Sequence, residues 1–307
     1  MKLRSKDILG LDHLEPEEIN LILDTAVDMK KIVTSRMKKV NYLQGKTVIT
    51  LFYENSTRTR VSFELAAKYM GAQAVNVSVS TSSVAKGETL IDTGKTLDVM
   101  GSDIIIMRHN LSGAPHLLAQ NVRASVINAG DGMHEHPTQG LLDMYTMREA
   151  FGDLKGLKVA IIGDIFHSRV ARSNIIGLTK MGAEVRISAP STLMPPGIET
   201  LGAKVCSSIE ETVEDCDVVM GLRVQLERQK KALFPSSYEY SRFFGMNPQN
   251  VKGARAHALW MHPGPVNRGI EMTSSLIDGE SSVINDQVTN GVAVRMALLY
   301  LLTGREE

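Results

Sequence analysis

The sequence predicts an α/β protein of two domains, each a parallel sheet flanked by helices, with the active site in the cleft between them. Strand-like and helix-like segments alternate along the chain, the usual pattern of parallel sheets. The strand-like runs are short and continuously apolar, as expected for strands buried on both faces. At 307 residues the chain is long enough for two domains with separate cores.

The first domain is predicted to begin with a helix over 14–37, with Pro16 near its start. A helical pattern also covers 61–70 and ends at Gly71, a typical residue just after a helix end. The strands predicted for this domain are 47–53, 74–79, 103–107 and 124–128.

The second domain is predicted from a second series of apolar runs that starts near residue 157. A helix over 137–151, with Pro137 at its first position and Gly152 after it, separates the two series. A last amphipathic helix over 286–303 is expected to pack back on the first domain, so the predicted limits are 1–136 with 286–307, and 137–285. The strands predicted here are 157–163, 183–189, 216–222 and 254–260.

The balance of charge argues against a general nucleic-acid or membrane-surface binder. The chain has 34 Lys and Arg against 34 Asp and Glu, for a formal net charge of +0. No apolar stretch has the length of a membrane span, and the first residues lack the apolar core of a signal peptide. The 2 cysteines lack metal-ligand spacing, and a reduced cytoplasmic enzyme is expected.

Hydroxyl side chains and an arginine occupy the junction between the first predicted strand and the next helix. The segment 54–60 reads ENSTRTR and contains Ser56, Thr57, Arg58 and Thr59. A helix N-terminus favours an anion, so this segment is a candidate phosphate site. Alternatively, the hydroxyls only cap the helix. Arg60 is expected to be structural, pairing with Glu64 one turn later.

Further polar residues follow other predicted strands, where ligands of parallel sheets bind. Arg108 could direct a planar fork of donors at a carbonyl or phosphate oxygen, or could be a surface arginine. His136 stands at a helix start, where a neutral imidazole could donate to a developing oxyanion, although structural histidines are common there. His109 and His134 are less well placed and are interpreted as structural.

Two more segments have both an ordinary and a functional interpretation. The loop around Ser82 and Lys86 is either a surface turn or an arm that presents both residues to a phosphate across a cleft or subunit boundary. Arg169, Arg223 and Gln225 could hold a ligand with two carboxylates by forked hydrogen bonds. Much of the basic run after Arg223 is instead expected to be a solvated helix face.

Together these segments resemble the aspartate carbamoyltransferase catalytic-chain family, within the aspartate/ornithine carbamoyltransferase superfamily, along essentially the whole chain. The motifs that carry the resemblance are Ser56-Thr57-Arg58-Thr59-Arg60, Lys86-Gly87-Glu88-Thr89, Met107-Arg108-His109, His136-Pro137-Thr138-Gln139, Gly163-Asp164 with His167-Ser168-Arg169, Arg223-Val224-Gln225, and His262-Pro263-Gly264-Pro265. The resemblance implies transfer of the carbamoyl group of carbamoyl phosphate to the α-amino group of L-aspartate, in pyrimidine biosynthesis. It implies no metal, no cofactor and no covalent enzyme intermediate.

Roles are carried over by position. The resemblance implies a carbamoyl phosphate-binding first domain and an aspartate-binding second domain, with Arg58, Thr59, Lys86, Arg108 and His136 catalytic. Carbamoyl phosphate would contact Ser56, Thr57, Arg58, Thr59, Ser82, Lys86, Arg108, His136, Gln139, Gly264 and Pro265. Aspartate would contact Lys86, Arg169, Arg223 and Gln225. Many family members have Leu-Pro in place of Gly264-Pro265, which leaves the flexibility of that loop open.

The resemblance also implies a homotrimer with shared active sites, in which a neighbouring subunit supplies Ser82 and Lys86. A dihydroorotase or a regulatory chain are further partners to consider. Two other functions stay open: a carbamoyltransferase of the ornithine type, and a non-catalytic relative that binds a phosphate-bearing metabolite and acts as a scaffold. The sequence around Arg223 and His262 favours the aspartate type.

Overall fold

The computed structural model describes residues 3–78, 87–225 and 236–304. Two compact units divide the chain: Met1–Tyr145 with Val288–Glu307, and Thr146–Gln287. Both divisions run through a helix, so the helices that start at Pro137 and at Ile284 have residues in each unit. The domain limits predicted from the sequence, and the substrate assigned to each domain, stay predictions.

The first unit contains a parallel sheet of 4 strands in the order β2-β1-β3-β4. The inner strand β1 is buried along its middle four residues, as its apolar run predicts. Leu51, Ile105 and Met107 from β1 and β3 pack with Leu118 into a core cluster on one side of this sheet. The strands are β1 Thr47–Phe52, β2 Gln73–Ser78, β3 Ile104–His109 and β4 Ser125–Asp131.

The four predicted helices that have residues in the first unit are present, three of them with shifted ends, and α3 and α4 are not predicted from the sequence. Pro16 is the first residue of α1, where a missing N–H costs nothing, and Gly71 follows α2 with φ +83°, a conformation that favours glycine. The helices are α1 Pro16–Thr34, α2 Thr57–Tyr69, α3 Leu90–Val99, α4 Ala114–Ala119, α5 Pro137–Phe151 and α10 Ile284–Thr303. The sequence correctly predicts both ends of α5.

The second unit contains a parallel sheet of 5 strands in the order β7-β6-β5-β8-β9. Ala160, Val219 and Met246 belong to its core cluster. The strands are β5 Lys158–Ile162, β6 Glu184–Ser188, β7 Lys204–Val205, β8 Val218–Gly221 and β9 Leu259–Met261. The helices are α6 Arg169–Lys180, α7 Ile209–Val213, α8 Ser237–Phe244 and α9 Ser274–Ile277, with short 3₁₀ turns at Ser191–Leu193 and Ile198–Leu201.

One predicted strand is largely wrong. The run 254–260 is strand only from Leu259 onward, because the residues ahead of it form turns in which two side chains contact a carboxylate. Arg255 Nη1 lies 2.6 Å from Asp217 Oδ1, and His257 Nε2 lies 3.2 Å from the same atom. The Arg255 and His257 side chains are 39% and 60% exposed, which a strand buried on both faces would not allow. The short strand β7 has no apolar signal, and the sequence does not predict it.

Each sheet has a topological switch point at one inner strand, where the chain leaves first to one side of that strand and later to the other. From β1 the chain continues to β2 on one side and later to β3 on the other, and β5 has β6 and β8 in the same relation. Ligands of open parallel sheets bind beyond the carboxyl ends of the strands at such switch points. The residues after β1, β3, β5 and β8 are therefore the first place to look for a site.

Within the described part of the chain, no helix is both long and apolar enough to cross a membrane.

Candidate active site

The junction between β1 and α2 forms a helix N-terminus that is ready for an anion. Ser56 is the N-cap residue, and its side chain makes no capping hydrogen bond to the first turn of the helix. Thr57 and Arg58 are exposed in that turn, whereas Thr59 is buried. Backbone N–H groups, hydroxyls and one arginine thus meet where the helix dipole favours negative charge.

The charge of Arg60 acts on Glu64, as the sequence predicts, but the hydrogen bonds to this carboxylate come from other residues. Glu64 accepts hydrogen bonds from Lys68 Nζ at 2.6 Å and from Asn76 Nδ2 at 3.1 Å, not from Arg60. The reason is that Lys68 lies one turn further along α2, and Asn76 approaches from the neighbouring strand β2. These hydrogen bonds, Lys68 first, lower the pKa of Glu64.

Arg108 lies at the carboxyl end of β3 and is held from two sides. Its Nε lies 2.9 Å from Glu54 Oε2, a residue that follows β1. Its Nη1 donates to the carbonyl oxygen of Ala129 on β4 at 3.2 Å. Only 13% of the Arg108 side chain is exposed, so this guanidinium is oriented rather than solvated. Three adjacent strands therefore meet at one arginine.

His136 occupies the N-terminus of α5 and is buried. Its carbonyl oxygen accepts from the N–H groups of Gln139 at 2.9 Å and Gly140 at 3.2 Å, which starts the helix. Gln139 is also buried, and its Nε2 donates to Asp143 Oδ1 at 2.9 Å. The Gln139 side chain is thus fixed by α5 itself, while His136 is held at the start of this helix through its backbone.

Asp131 organises the loop that leads to His136. Its carboxylate accepts from Gly113 N–H at 2.7 Å, from Asn128 Nδ2 at 2.8 Å and from Glu135 N–H at 3.2 Å. His134 Nδ1 lies 3.1 Å from its Oδ2. Burial alone would raise the pKa of Asp131. The hydrogen bonds from His134, Gly113 and Asn128 outweigh burial, so the pKa lies below its ordinary value and the group is a carboxylate.

In the second unit, residues after β5 and β8 are joined by a buried network. His167 Nδ1 lies 2.9 Å from Asp164 Oδ1, and Asp164 also accepts from the N–H of His167 at 3.1 Å. Gln225 donates its N–H to Asp164 Oδ2 at 3.3 Å and its Nε2 to the carbonyl oxygen of His167 at 3.2 Å. The backbone around Gln225 is thereby tied to the start of α6.

Arg169 and Arg223 flank this network. Arg169 is the first residue of α6 and is 3% exposed, and Ser168 ahead of it caps the helix by accepting from Ala171 N–H at 3.1 Å. Arg223 is half-buried directly after β8. Its neighbour segment 226–235 lies outside the described residues.

The loop after β9 is held by His262, which is buried. Its Nδ1 accepts from Gly264 N–H at 2.9 Å, and its own N–H donates to Gln287 Oε1 at 3.0 Å. Gly264 has φ +67°, a backbone conformation that glycine adopts without strain, and the Gly264-Pro265 peptide bond is cis. The glycine at this position therefore suits the conformation of the loop.

Two comparisons with known proteins bear on what these sites do. The carbamoyl-phosphate-binding domain of aspartate/ornithine carbamoyltransferases matches residues 6–149, and the Asp/Orn-binding domain of the same enzymes matches residues 155–302. The aspartate carbamoyltransferase catalytic subunit of Ruminiclostridium cellulolyticum is 70% identical over 305 residues, covering 99% of this chain and 97% of the relative. The chain belongs to the aspartate/ornithine carbamoyltransferase family.

Solved structures of both aspartate-type and ornithine-type enzymes share the fold of this chain. Aspartate transcarbamoylase from Trypanosoma cruzi, in complex with carbamoyl phosphate, has a TM-score of 0.87 at 29% identity, over 97% of this chain and 96% of that chain. Ornithine carbamoyltransferase from Pyrococcus furiosus has a TM-score of 0.89 at 31% identity, over 100% of both chains. The fold of a carbamoyltransferase therefore does not by itself distinguish aspartate from ornithine.

Within this carbamoyltransferase fold, the predicted site residues divide between the two units. The first unit holds Ser56, Thr57, Arg58, Thr59, Arg108, His136 and Gln139, and the second holds Arg169, Arg223, Gln225, Gly264 and Pro265. The Glu54–Arg108 pair links the strand ends after β1 and β3, and the Asp164–Gln225 bond links those after β5 and β8. Ser82 and Lys86 lie outside the described residues.

Sequence reasoning missed four residues that orient the predicted ones. Glu54, Asp143, Asp164 and His167 each contact a predicted site residue, yet none was assigned a role from the sequence. A signal for Asp143 does exist, because it lies four residues after Gln139 on one face of a predicted helix. Glu54 and Asp164 also follow buried strands directly, but their partners are distant in sequence.

Proposed function

We propose that the chain is the catalytic subunit of an aspartate carbamoyltransferase, which transfers the carbamoyl group of carbamoyl phosphate to the α-amino group of L-aspartate. The observation that carries this proposal is the 70% identity, over nearly the whole of both chains, with a relative of that name. A second relative of the same name, from Acetivibrio thermocellus, is 67% identical. The arrangement of charged and polar groups at the strand ends supports the same reaction.

Carbamoyl phosphate would bind with its phosphate at the N-terminus of α2. Ser56, Thr57 and Thr59 offer hydroxyls and N–H groups there, and Arg58 offers a positive charge. A phosphate dianion is stabilised by these donors and by the helix dipole. Ser82 and Lys86 would complete this site from a neighbouring subunit, as the resemblance implies.

The carbamoyl group would lie between β3 and α5. Its oxygen would accept hydrogen bonds from Thr59, Arg108 and His136. Because Gln139 Nε2 donates to Asp143, its carbonyl Oε1 is directed to accept from the carbamoyl amide. The backbone of Gly264 and Pro265 would lie near the amine and carbamoyl groups.

L-Aspartate would be held by its two carboxylates. Arg169 and Arg223 provide forked donors, Gln225 provides an amide, and Lys86 would add a second positive charge. The bonds from Gln225 to Asp164 and His167 hold this amide in place before substrate arrives. Such preorganisation lowers the entropy lost on binding.

The reaction itself needs no nucleophilic side chain. The α-amino nitrogen forms a bond to the carbamoyl carbon, the carbon–oxygen bond to phosphate breaks, and phosphate leaves with that electron pair and with the amine proton. Negative charge grows on the carbonyl oxygen, opposite Arg108 and His136, and on the phosphate, opposite Arg58 and Lys86. One preorganised donor of this kind typically stabilises the transition state by about 3 kcal/mol.

The assembly that fits shared active sites is a homotrimer. The proposed enzyme acts in the cytoplasm, in pyrimidine biosynthesis. A dihydroorotase or a regulatory chain would be a further partner. Mixed trimers of Lys86→Ala and Arg169→Ala chains test it. Each variant is expected to be inactive alone, and mixing them is expected to restore part of the activity by forming some intact sites. Verified mixed trimers without activity would argue against shared sites.

A direct assay of substrate choice tests the proposed reaction. Purified protein is incubated with carbamoyl phosphate and either L-aspartate or L-ornithine, and the carbamoylated product is identified. Product from aspartate is expected. Product from ornithine alone would identify the ornithine type, and no product from either would favour a scaffold role.

A further inference from the structure

Three side chains of types that can ligate a metal ion converge outside the proposed catalytic residues. Ligand atoms of His116, Asp131 and His134 all lie within 4.8 Å of one another. His116 comes from α4, Asp131 from the end of β4, and His134 from the loop before α5. None of the three is among the residues proposed above to contact carbamoyl phosphate or aspartate.

We infer that His116, Asp131 and His134 form a structural site for a divalent transition-metal ion of the zinc type. Two imidazoles and one carboxylate are a donor set that suits Zn²⁺ and Co²⁺ rather than Mg²⁺ or Ca²⁺, which prefer oxygen ligands. Water would fill the fourth position. The ion would join α4 to the loop that leads to His136.

The carboxylate of this cluster is prepared for a metal ion. Asp131 is fully buried, and its Oδ1 is oriented by Asn128 Nδ2 at 2.8 Å and by Glu135 N–H at 3.2 Å. Its Oδ2 accepts from one backbone group, Gly113 N–H at 2.7 Å, and faces His134. Ligating carboxylates are commonly held in this way by surrounding donors.

The distance between the first two ligands already fits a tetrahedral ion. His134 Nδ1 lies 3.1 Å from Asp131 Oδ2. Bonds of about 2.0–2.1 Å at tetrahedral angles place ligand atoms about 3.4 Å apart. A metal ion would replace the proton shared between these two atoms, with a small outward shift of the ring.

The surroundings of His116 give a second reason to expect a metal ion. Its Nδ1 is buried and has no hydrogen-bond partner within the described residues. A buried imidazole nitrogen without a partner is costly, and a coordinate bond would satisfy it. The His116 ring lies 5.5 Å from that of His134 in an edge-to-face arrangement, and ligand atoms of both rings lie within 4.8 Å of each other and of Asp131.

The ordinary alternative is an ion pair between His134 and Asp131 with His116 packed beside it. This alternative predicts no uptake of metal and no dependence on His116.

The test uses the full chain without a histidine tag, stripped of metal by a chelator. Isothermal titration with Zn²⁺ is expected to give one ion per chain, and Co²⁺ is expected to give visible absorption bands of tetrahedral intensity. Zn²⁺ is also expected to raise the melting temperature, while Mg²⁺ is expected to leave it unchanged. These readouts do not depend on catalysis.

Variants decide whether the bound ion uses these residues. His116→Gln and His134→Gln are each expected to weaken Zn²⁺ binding at least 10-fold and to remove the Co²⁺ bands. The matched control is His257→Gln, an exposed histidine that pairs with Asp217 in the other unit. Absence of stoichiometric binding, or binding that the His116 and His134 variants leave unchanged, would overturn the proposal.

Discussion

Gln139 Nε2 donates to Asp143 Oδ1 at 2.9 Å, one turn further along α5. Both residues are buried, with Asp143 fully so, and this bond determines which end of the Gln139 amide is left for a ligand. A side chain four residues away on the same helix face therefore orients a proposed substrate contact. Asp143 is a positioning residue in this arrangement.

Substitutions of Asp143 test this positioning role. Asp143→Ala is expected to raise KM for carbamoyl phosphate about 10-fold, because the hydrogen bond that orients the Gln139 amide is lost. A smaller change is expected in kcat. Asp143→Asn retains an acceptor and is expected to keep KM near that of the original protein. In a Gln139→Ala background, Asp143→Ala should add little; a full additional 10-fold change would contradict the positioning role.

Replacing Glu54 is expected to impair the reaction through Arg108. Glu54→Ala removes the carboxylate 2.9 Å from Arg108 Nε, and the guanidinium then loses one of its two described anchors. We expect kcat to fall about 10-fold, compared with about 100-fold or more for Arg108→Ala. The control is Arg123→Ala, whose side chain is 87% exposed, and steady-state kinetics of all three variants make the comparison.

The two arginines of the first turn of α2 are expected to respond differently. Arg58→Ala should lower kcat by about 100-fold or more, because its charge would face the departing phosphate. Arg60→Ala should leave kcat nearly unchanged, because Arg60 is exposed and is not among the residues proposed to contact carbamoyl phosphate. Near-normal turnover of the Arg58 variant would remove that residue from the mechanism.

Disruption of the Asp164 network is expected to affect one substrate only. Asp164→Ala removes the carboxylate that His167 Nδ1 and the N–H of Gln225 contact. KM for aspartate should rise about 10-fold while KM for carbamoyl phosphate stays constant, since Gln225 is proposed to contact aspartate alone. Asp153→Ala, at a fully exposed carboxylate, is the control. Equal changes in both KM values would point to general loss of structure.

Acid stability is expected to depend on Asp217. Burial alone would raise the pKa of Asp217. Hydrogen bonds from Lys158 N–H, His257 and Arg255 outweigh burial, so the pKa lies below its ordinary value. A carboxyl with a lowered pKa in the folded state stabilises the fold above its unfolded pKa, and this contribution is lost as pH falls through the folded value.

Asp217→Asn is therefore expected to lower the melting temperature by about 3 °C at pH 7, with the difference shrinking as pH falls below 4. Asp215→Asn is the matched control. Asp215 is 68% exposed and has φ +60°, a conformation that asparagine tolerates, so its melting temperature should follow the original protein at every pH. A difference that persists unchanged in acid would contradict the assigned cause.

Local patterns determined much of this protein. The apolar runs predict all four strands of the first sheet and three of the five strands of the second, and Pro137 and Gly152 predict both ends of α5. These features depend on residues near one another in the chain, so a sequence pattern records them directly. The motifs together also sufficed to predict the family.

Only the tertiary structure decided which residues hold the site in place. Glu54 contacts Arg108 because β1 and β3 are neighbours in the sheet, and Gln225 contacts Asp164 because β5 and β8 are. His116 likewise meets Asp131 through the packing of α4 on β4. Pairing of strands distant in the chain leaves no periodic signal, because its free energy comes from packing and hydrogen bonds that exist only after folding.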